Sequence, residues 1–81
     1  MKKEEILNKI IEIYENIIGE DVDKSIFTLE SNIKNDLGIN SVGLLYLIVD
    51  IEKEFDVVLH NQSIEKFVTL NDVVTYIEEN I

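Results

Sequence analysis

The chain predicts an all-α fold, a small four-helix bundle of three main helices and one short helix. Three features carry that expectation. Apolar residues recur at helical spacing near both ends, a strongly apolar segment starts at a capping pair in the middle, and no proline interrupts any of them. At 81 residues the chain makes one domain, residues 1–81, and a domain of this size buries roughly 60% of the surface its unfolded chain exposes. With 46% hydrophobic residues it has the means to form a core, and having no cysteine it must do so without disulfides.

The first helix spans Glu4 to Ile18. Its apolar positions Ile6, Leu7, Ile10, Ile11, Ile13, Tyr14, Ile17 and Ile18 fall within an arc of about 160° when residues are placed at about 100° intervals. Gly19 follows and suits the left-handed position that ends a helix. From Glu20 to Asn40 the periodicity dissolves into a long ordered loop pinned by Val22, Ile26, Phe27, Leu29, Ile33 and Leu37, with a short helical turn expected near Leu29 to Ile33. The second helix begins at Asn40 or Ser41, either of which can cap it, and runs to about Phe55, with Gly43 its one poor helix former. Asp56 to Asn61 is a connector in which Val57 and Val58 hint only weakly at strand, and Gln62 to Phe67 is the short helix. The last helix starts after Thr69, a cap with Asp72 three residues on, and turns Leu70, Val73, Val74, Ile77 and Ile81 inward. The predicted core therefore includes Ile10, Tyr14, Ile17, Leu47, Ile51, Phe55, Val73 and Ile77.

The second helix has more apolar residues than one core face needs. Leu44, Leu47, Ile48, Ile51 and Phe55 fill an arc of about 100°, which is enough for packing. Val42, Leu45, Tyr46 and Val49 form a second stripe. Either the helix is buried on both sides, or the second stripe is exposed beside Ser41 as a partner surface rimmed by Asp50, Glu52 and Glu54.

Charge and residue inventory exclude several function classes. A net charge of -10 disfavours nucleic acid, where lysine and arginine supply most of the affinity, and favours basic partners. The apolar run Val42 to Val49 is far below the roughly 20 residues of a membrane span. Lys2 and Lys3 are followed at once by Glu4 and Glu5, so no targeting segment is expected, and a cytoplasmic, monomeric protein is. Asp21, Asp23 and Ser25 begin like a calcium loop. Ile26 then stands where that loop needs glycine, and Asn32 stands where it needs a bidentate glutamate. His60 has no second imidazole or cysteine at metal-ligand spacing. No catalytic group is expected.

Asp36-Leu37-Gly38-Ile39-Asn40-Ser41 places one serine hydroxyl where a glycine-containing loop enters an apolar helix, with no base near it in sequence. Such a serine must be activated by another protein. This stretch, followed by Leu47, Glu52, Glu54 and Phe55, resembles the signature of the acyl carrier and peptidyl carrier proteins. The order and length of the helices agree over nearly the whole chain. The resemblance implies a non-enzymatic carrier of that family's fold. Ser41 would bear a covalent 4'-phosphopantetheine, transferred from coenzyme A by a phosphopantetheinyl transferase, and the arm's thiol would hold acyl or aminoacyl groups as thioesters. Loading and downstream biosynthetic enzymes with basic docking surfaces would be the further partners, reading Asn40, Val42, Leu45, Tyr46, Val49 and Glu52. Fatty-acid carriers usually have Asp before the serine, Leu after it, and several acids on the exposed side of this helix. Asn40, Val42, Gly43 and Tyr46 depart from that pattern and point to a specialised pathway, nonribosomal-peptide-like, polyketide-like or otherwise dedicated. The rival reading is a cofactor-free acidic helical interaction module, in which Ser41 only caps a helix.

Overall fold

The computed structural model describes residues 2–59 and 64–81. Within them the chain forms α1 (Lys3–Ile18), α2 (Ser41–Phe55) and α3 (Leu70–Asn80), with 3-10 turns at Lys24–Ile26 and Ile64–Lys66. The short helix expected over Gln62 to Phe67 is represented by the second of these turns, and Gln62 itself lies outside the described residues, as does His60. The fold is all-α.

Helix ends follow local chemistry. Gly19 adopts a left-handed conformation at φ 75° and its N–H donates to the Glu15 carbonyl at 2.8 Å. At the far end of the chain, Thr69 Oγ1 accepts from the Asp72 N–H at 3.3 Å, while Asp72 Oδ2 accepts from the Thr69 N–H at 2.9 Å. This reciprocal pair satisfies two donors that a helix start would otherwise leave bare. α2 closes on Asp56, a non-glycine residue in the left-handed region at φ 54°.

α1 packs against both α2 and α3, and the core between them is built from Ile6, Ile10, Ile11, Leu44, Leu47, Ile48, Ile51, Leu70, Val73, Val74 and Ile77. The loop and connector add Phe27, Ile33, Ile39, Val57, Leu59 and Phe67. Two ring pairs tie these additions in: Tyr14 with Phe27 at 5.6 Å between centroids, and Phe67 edge-on to Tyr76 at 6.0 Å.

Four expected core positions differ. Ile17 is 38% exposed and Ile81 52% exposed, because periodicity marks which side of a helix turns inward but not how far along it the neighbours extend. Tyr14 and Phe55 are only half-buried at the margin of the core. The helical turn expected near Leu29 to Ile33 lies earlier, at Lys24–Ile26, since Asp23 Oδ1 accepts from the Ser25 N–H at 2.9 Å and starts it there. The Ser25 hydroxyl donates to the same oxygen, and these two bonds, the hydroxyl's the stronger influence, hold the Asp23 carboxyl below its ordinary range.

Candidate functional site

The loop before α2 is fixed by its own side chains. Asn32 Oδ1 accepts the N–H groups of Lys34 and Asn35 at 3.0 and 2.8 Å, and Asp36 Oδ2 accepts the Asn32 N–H at 2.7 Å. In return the Asp36 N–H donates to the Asn32 carbonyl at 2.9 Å. The aspartate of the Asp36-Leu37-Gly38 run is thus a clasp on the loop, and Gly38 takes the left-handed turn at φ 68° that redirects the chain toward the helix. Buried Ser31 bonds the Ile26 carbonyl and accepts the Thr28 N–H at 2.9 Å.

A second set of bonds stitches the loop to the strap leading into α3. Ile33 N–H donates to the Val68 carbonyl at 2.9 Å, Leu70 N–H to the Ser31 carbonyl at 3.1 Å, and Asn71 N–H to the Leu29 carbonyl at 2.9 Å. The beginning of α2 is therefore held from both sides.

Asn40, not Ser41, is the cap. Its Oδ1 accepts the Gly43 N–H at 2.8 Å, and its carbonyl accepts the Leu44 N–H at 2.9 Å. That leaves the N–H groups of Ser41 and Val42 as the unpaired donors of the first turn. Gly43 has a steric reason: a Cβ there would sit 3.3 Å from Ile39 Cγ2, a tight approach to that buried side chain, and in ordinary contact with Asn40 Oδ1 at 3.5 Å. Ser41, the first residue of α2, is exposed, and no described side chain hydrogen-bonds its hydroxyl. It borders a cleft of about 380 Å³ with an apolar floor of Ile39, Leu44, Ile64, Phe67 and Val68, and with Lys34, Asn35 and Glu65 at its edge.

Down the outer side of α2, Val42, Leu45, Tyr46 and Val49 are 61, 55, 65 and 41% exposed. The helix is not buried on both sides. Two of the three acids expected around this strip have partners elsewhere: Glu54 Oε1 pairs with Lys9 Nζ at 3.3 Å and Glu52 Oε2 accepts the Leu59 N–H at 2.7 Å, while half-buried Asp50 lines a depression with Lys53 and Glu54 beside Ile13 and Asn16 of α1. The structure thus brings Ser41, Asn40 and the four apolar residues onto one side of the helix start and helix body, and ties Glu52 to the connector.

Sequence reasoning missed the cleft, since its walls come from the loop, α2 and the strap before α3. The Phe67-Val68 pair directly ahead of the Thr69 cap is the local signal that could have marked one wall. Among the described residues no group of three or more His, Cys, Asp or Glu side chains is placed to hold a metal ion, and no helix is long and apolar enough to cross a membrane.

The residues present suit a phosphodiester. Two unpaired N–H groups at a helix start, at the positive end of its dipole, can face the anion without any basic side chain, and the serine oxygen is open to solvent. Comparison with known proteins agrees with this fit. The phosphopantetheine attachment site family matches residues 8–77. An acyl carrier protein of Exiguobacterium sp. strain AT1b is 36% identical over 81 residues, covering all of both chains, and one of Thermotoga maritima is 38% identical over 79 residues, covering 98% of this chain and 95% of the relative. Among solved structures, the thermally stable acyl carrier protein from Enterococcus faecalis superimposes with a TM-score of 0.74 at 31% identity, covering both chains completely. The chain therefore belongs to the acyl carrier protein family, whose members are carriers rather than enzymes and bear a covalently attached 4'-phosphopantetheine.

Proposed function

We propose that Ser41 is the residue that bears the arm and that this chain serves a dedicated biosynthetic pathway, holding acyl or aminoacyl intermediates for enzymes that act on them in turn. The observation that carries the reading is the placement of Ser41: an exposed hydroxyl at the first position of a capped helix, beside an apolar-floored cleft, with two unpaired backbone donors next to it. Each feature has a task. The cap and the loop clasp hold the serine in one position for the phosphopantetheinyl transferase. The transferase must supply the base, because no described side chain is hydrogen-bonded to the serine hydroxyl. The donors of the first turn stabilise the phosphodiester that results, and the cleft offers apolar surface to the arm or the start of its cargo. When bound, the arm supplies a thiol that holds the intermediate as a thioester.

Among the described residues, the other serines are poorer candidates. Ser31 is buried and committed to the Ile26 carbonyl, and the Ser25 hydroxyl donates to Asp23. The dedicated-pathway reading is supported by Asn40, Val42, Gly43 and Tyr46, which depart from the pattern usual in fatty-acid carriers. Incubation with coenzyme A and a phosphopantetheinyl transferase, followed by intact-mass measurement, should show a single added arm on the wild type and none on Ser41→Ala. An arm that persists on Ser41→Ala would refute the assignment. Mass analysis of the protein isolated from its own cells would identify the carried group, and a population made up of straight-chain saturated acyl forms alone would contradict a dedicated pathway.

A further inference from the structure

The cleft beside Ser41 is lined by two opposite charges that do not satisfy each other. Lys34, on the loop before α2, and Glu65, on the 3-10 turn at Ile64–Lys66, both line it and are both exposed. Neither side chain makes an ion pair or a hydrogen bond with a described residue. Of the charged residues next along the chain, Asp36 is engaged with the Asn32 N–H, and Lys66 lies outside the cleft walls. The amides on the loop side are oriented by their own bonds. Asn32 Oδ1 takes the Lys34 and Asn35 N–H groups and Asn40 Oδ1 takes the Gly43 N–H, which leaves both Nδ2 groups without an acceptor among the described residues. The same bond to Asn32 holds the backbone of Lys34, so the root of its side chain is fixed at the edge of the cleft.

An apolar floor alone suits a plain hydrocarbon chain. The charges at its edge would then lose hydration as the chain settled and gain nothing in return. A cargo that uses all of these groups has a short apolar middle, an anionic group for Lys34 and the amide donors, and a cation for Glu65. Resting on the carrier reading above, we propose that the carried group is an acidic amino acid, held as a thioester through one carboxyl, with its ammonium facing Glu65 and its remaining carboxylate facing Lys34. Its methylenes cover part of the apolar floor, and it adds no net charge to the protein. At about 380 Å³ the cleft stands at the lower end of small-molecule sites, which matches one amino acid better than a long acyl chain. Lys34 and Glu65 are then the residues that determine which cargo rests on the carrier.

The test varies the charges of the cargo and of the cleft independently. A phosphopantetheinyl transferase loads the protein from coenzyme A analogues in which N–H replaces the thioester sulfur, so that the cargo neither hydrolyses nor cyclises. The cargoes share one chain length: glutamyl has both charges, glutaryl the carboxylate, norvalyl the ammonium, and pentanoyl neither. Shifts of the Asn35 and Phe67 amide resonances, each relative to the same protein with the bare arm, report how much cargo occupies the cleft. At pH about 6.5, where an α-ammonium stays charged, glutamyl should shift them about threefold or more further than pentanoyl, since an exposed ion pair changes a population by up to about fivefold. Raising NaCl from about 0.05 to 0.5 M should shrink that excess. Lys34→Gln should reduce the glutamyl shifts to those of norvalyl, and Glu65→Gln to those of glutaryl, while both leave pentanoyl unchanged. Glu79→Gln, an exposed change in the last turn of α3, should alter none of them. Circular dichroism confirms that each variant is folded. Equal shifts from all cargoes overturn the proposal, and so does a Lys34→Gln or Glu65→Gln effect that is the same for every cargo, which would assign the residue to the arm itself. Both outcomes leave Ser41 as the attachment site, which intact mass reads separately. If the wild type receives no arm at all, the carrier reading falls and the cargo proposal falls with it.

Discussion

The two sides of α2 are made of the same kinds of residue and have opposite fates. Leu44, Leu47, Ile48 and Ile51 are buried against α1 and the rest of the core, while Val42, Leu45, Tyr46 and Val49 face solvent in a direction centred roughly half a turn away. Hydrophobic residues on a protein's surface are ordinary when scattered. Four of them in line beside the serine proposed to bear the arm are not. The difference teaches that apolarity fixes how much surface a helix could bury, and that the number of neighbouring elements fixes how much it does bury. In a domain with three α-helices among its described residues, one face of α2 is left without a neighbouring helix to cover it.

The strongest way to break this comparison is to cut equally into both sides. Ile51→Ala removes a fully buried side chain and should destabilise the protein by about 2–5 kcal/mol, whereas Val49→Ala should stay within about 0.5 kcal/mol. Urea denaturation of the two variants gives both numbers, and similar losses would mean that Val49 is core. Phe55→Ala should fall between them, at about 1–2 kcal/mol, because the ring is only half-buried at the margin of the core. A loss equal to that of Ile51→Ala would place Phe55 fully inside.

What was legible in the sequence follows from the range of the forces involved. Helix limits are local. Gly19, the Asn40-Ser41 pair and the Thr69/Asp72 box lie within a few residues of the groups they cap, and the observed α1, α2 and α3 begin and end within about a residue of the expected positions. Both stripes of α2 were legible for the same reason, although their exposure was an open choice until the third dimension was known. The loop was not legible in detail. Its clasp joins Asn32 to Asp36 and its stitching joins Ser31 and Ile33 to Val68 and Leu70, so its geometry depends on contacts distant in sequence. The same holds for the acids of α2: Glu54 is committed to Lys9 and Glu52 to Leu59, partners that helical periodicity alone does not reveal.

The cap sets where the helix begins and hence which residues fall on which side. Asn40→Ala deletes the acceptor for the Gly43 N–H at a start that is held by loop hydrogen bonds, and should cost about 1 kcal/mol. In a domain of this size that lowers the thermal midpoint by roughly 4–8 °C. Asn40→Asp keeps the acceptor and adds a charge that the helix dipole favours, so it should melt no lower than wild type. If Asn40→Ala melts like the wild type, Ser41 has taken over the cap, and α2 begins one residue later than described.

The smallest expected effect is the most direct probe of the exposed side. Leu45→Ala removes a large apolar side chain from α2, a change that inside a core would cost several kcal/mol. At 55% exposure much of that side chain is already in water, and alanine is the better helix former, so the stability change should lie within about 0.5 kcal/mol of zero. Docking should respond differently, since the removed surface is part of what a partner cleft would cover. The transferase KM should rise severalfold while the urea midpoint stays in place. A variant that loses stability and keeps its KM would reverse the assignment, making Leu45 a packing residue and narrowing the docking strip to Val42, Tyr46 and Val49.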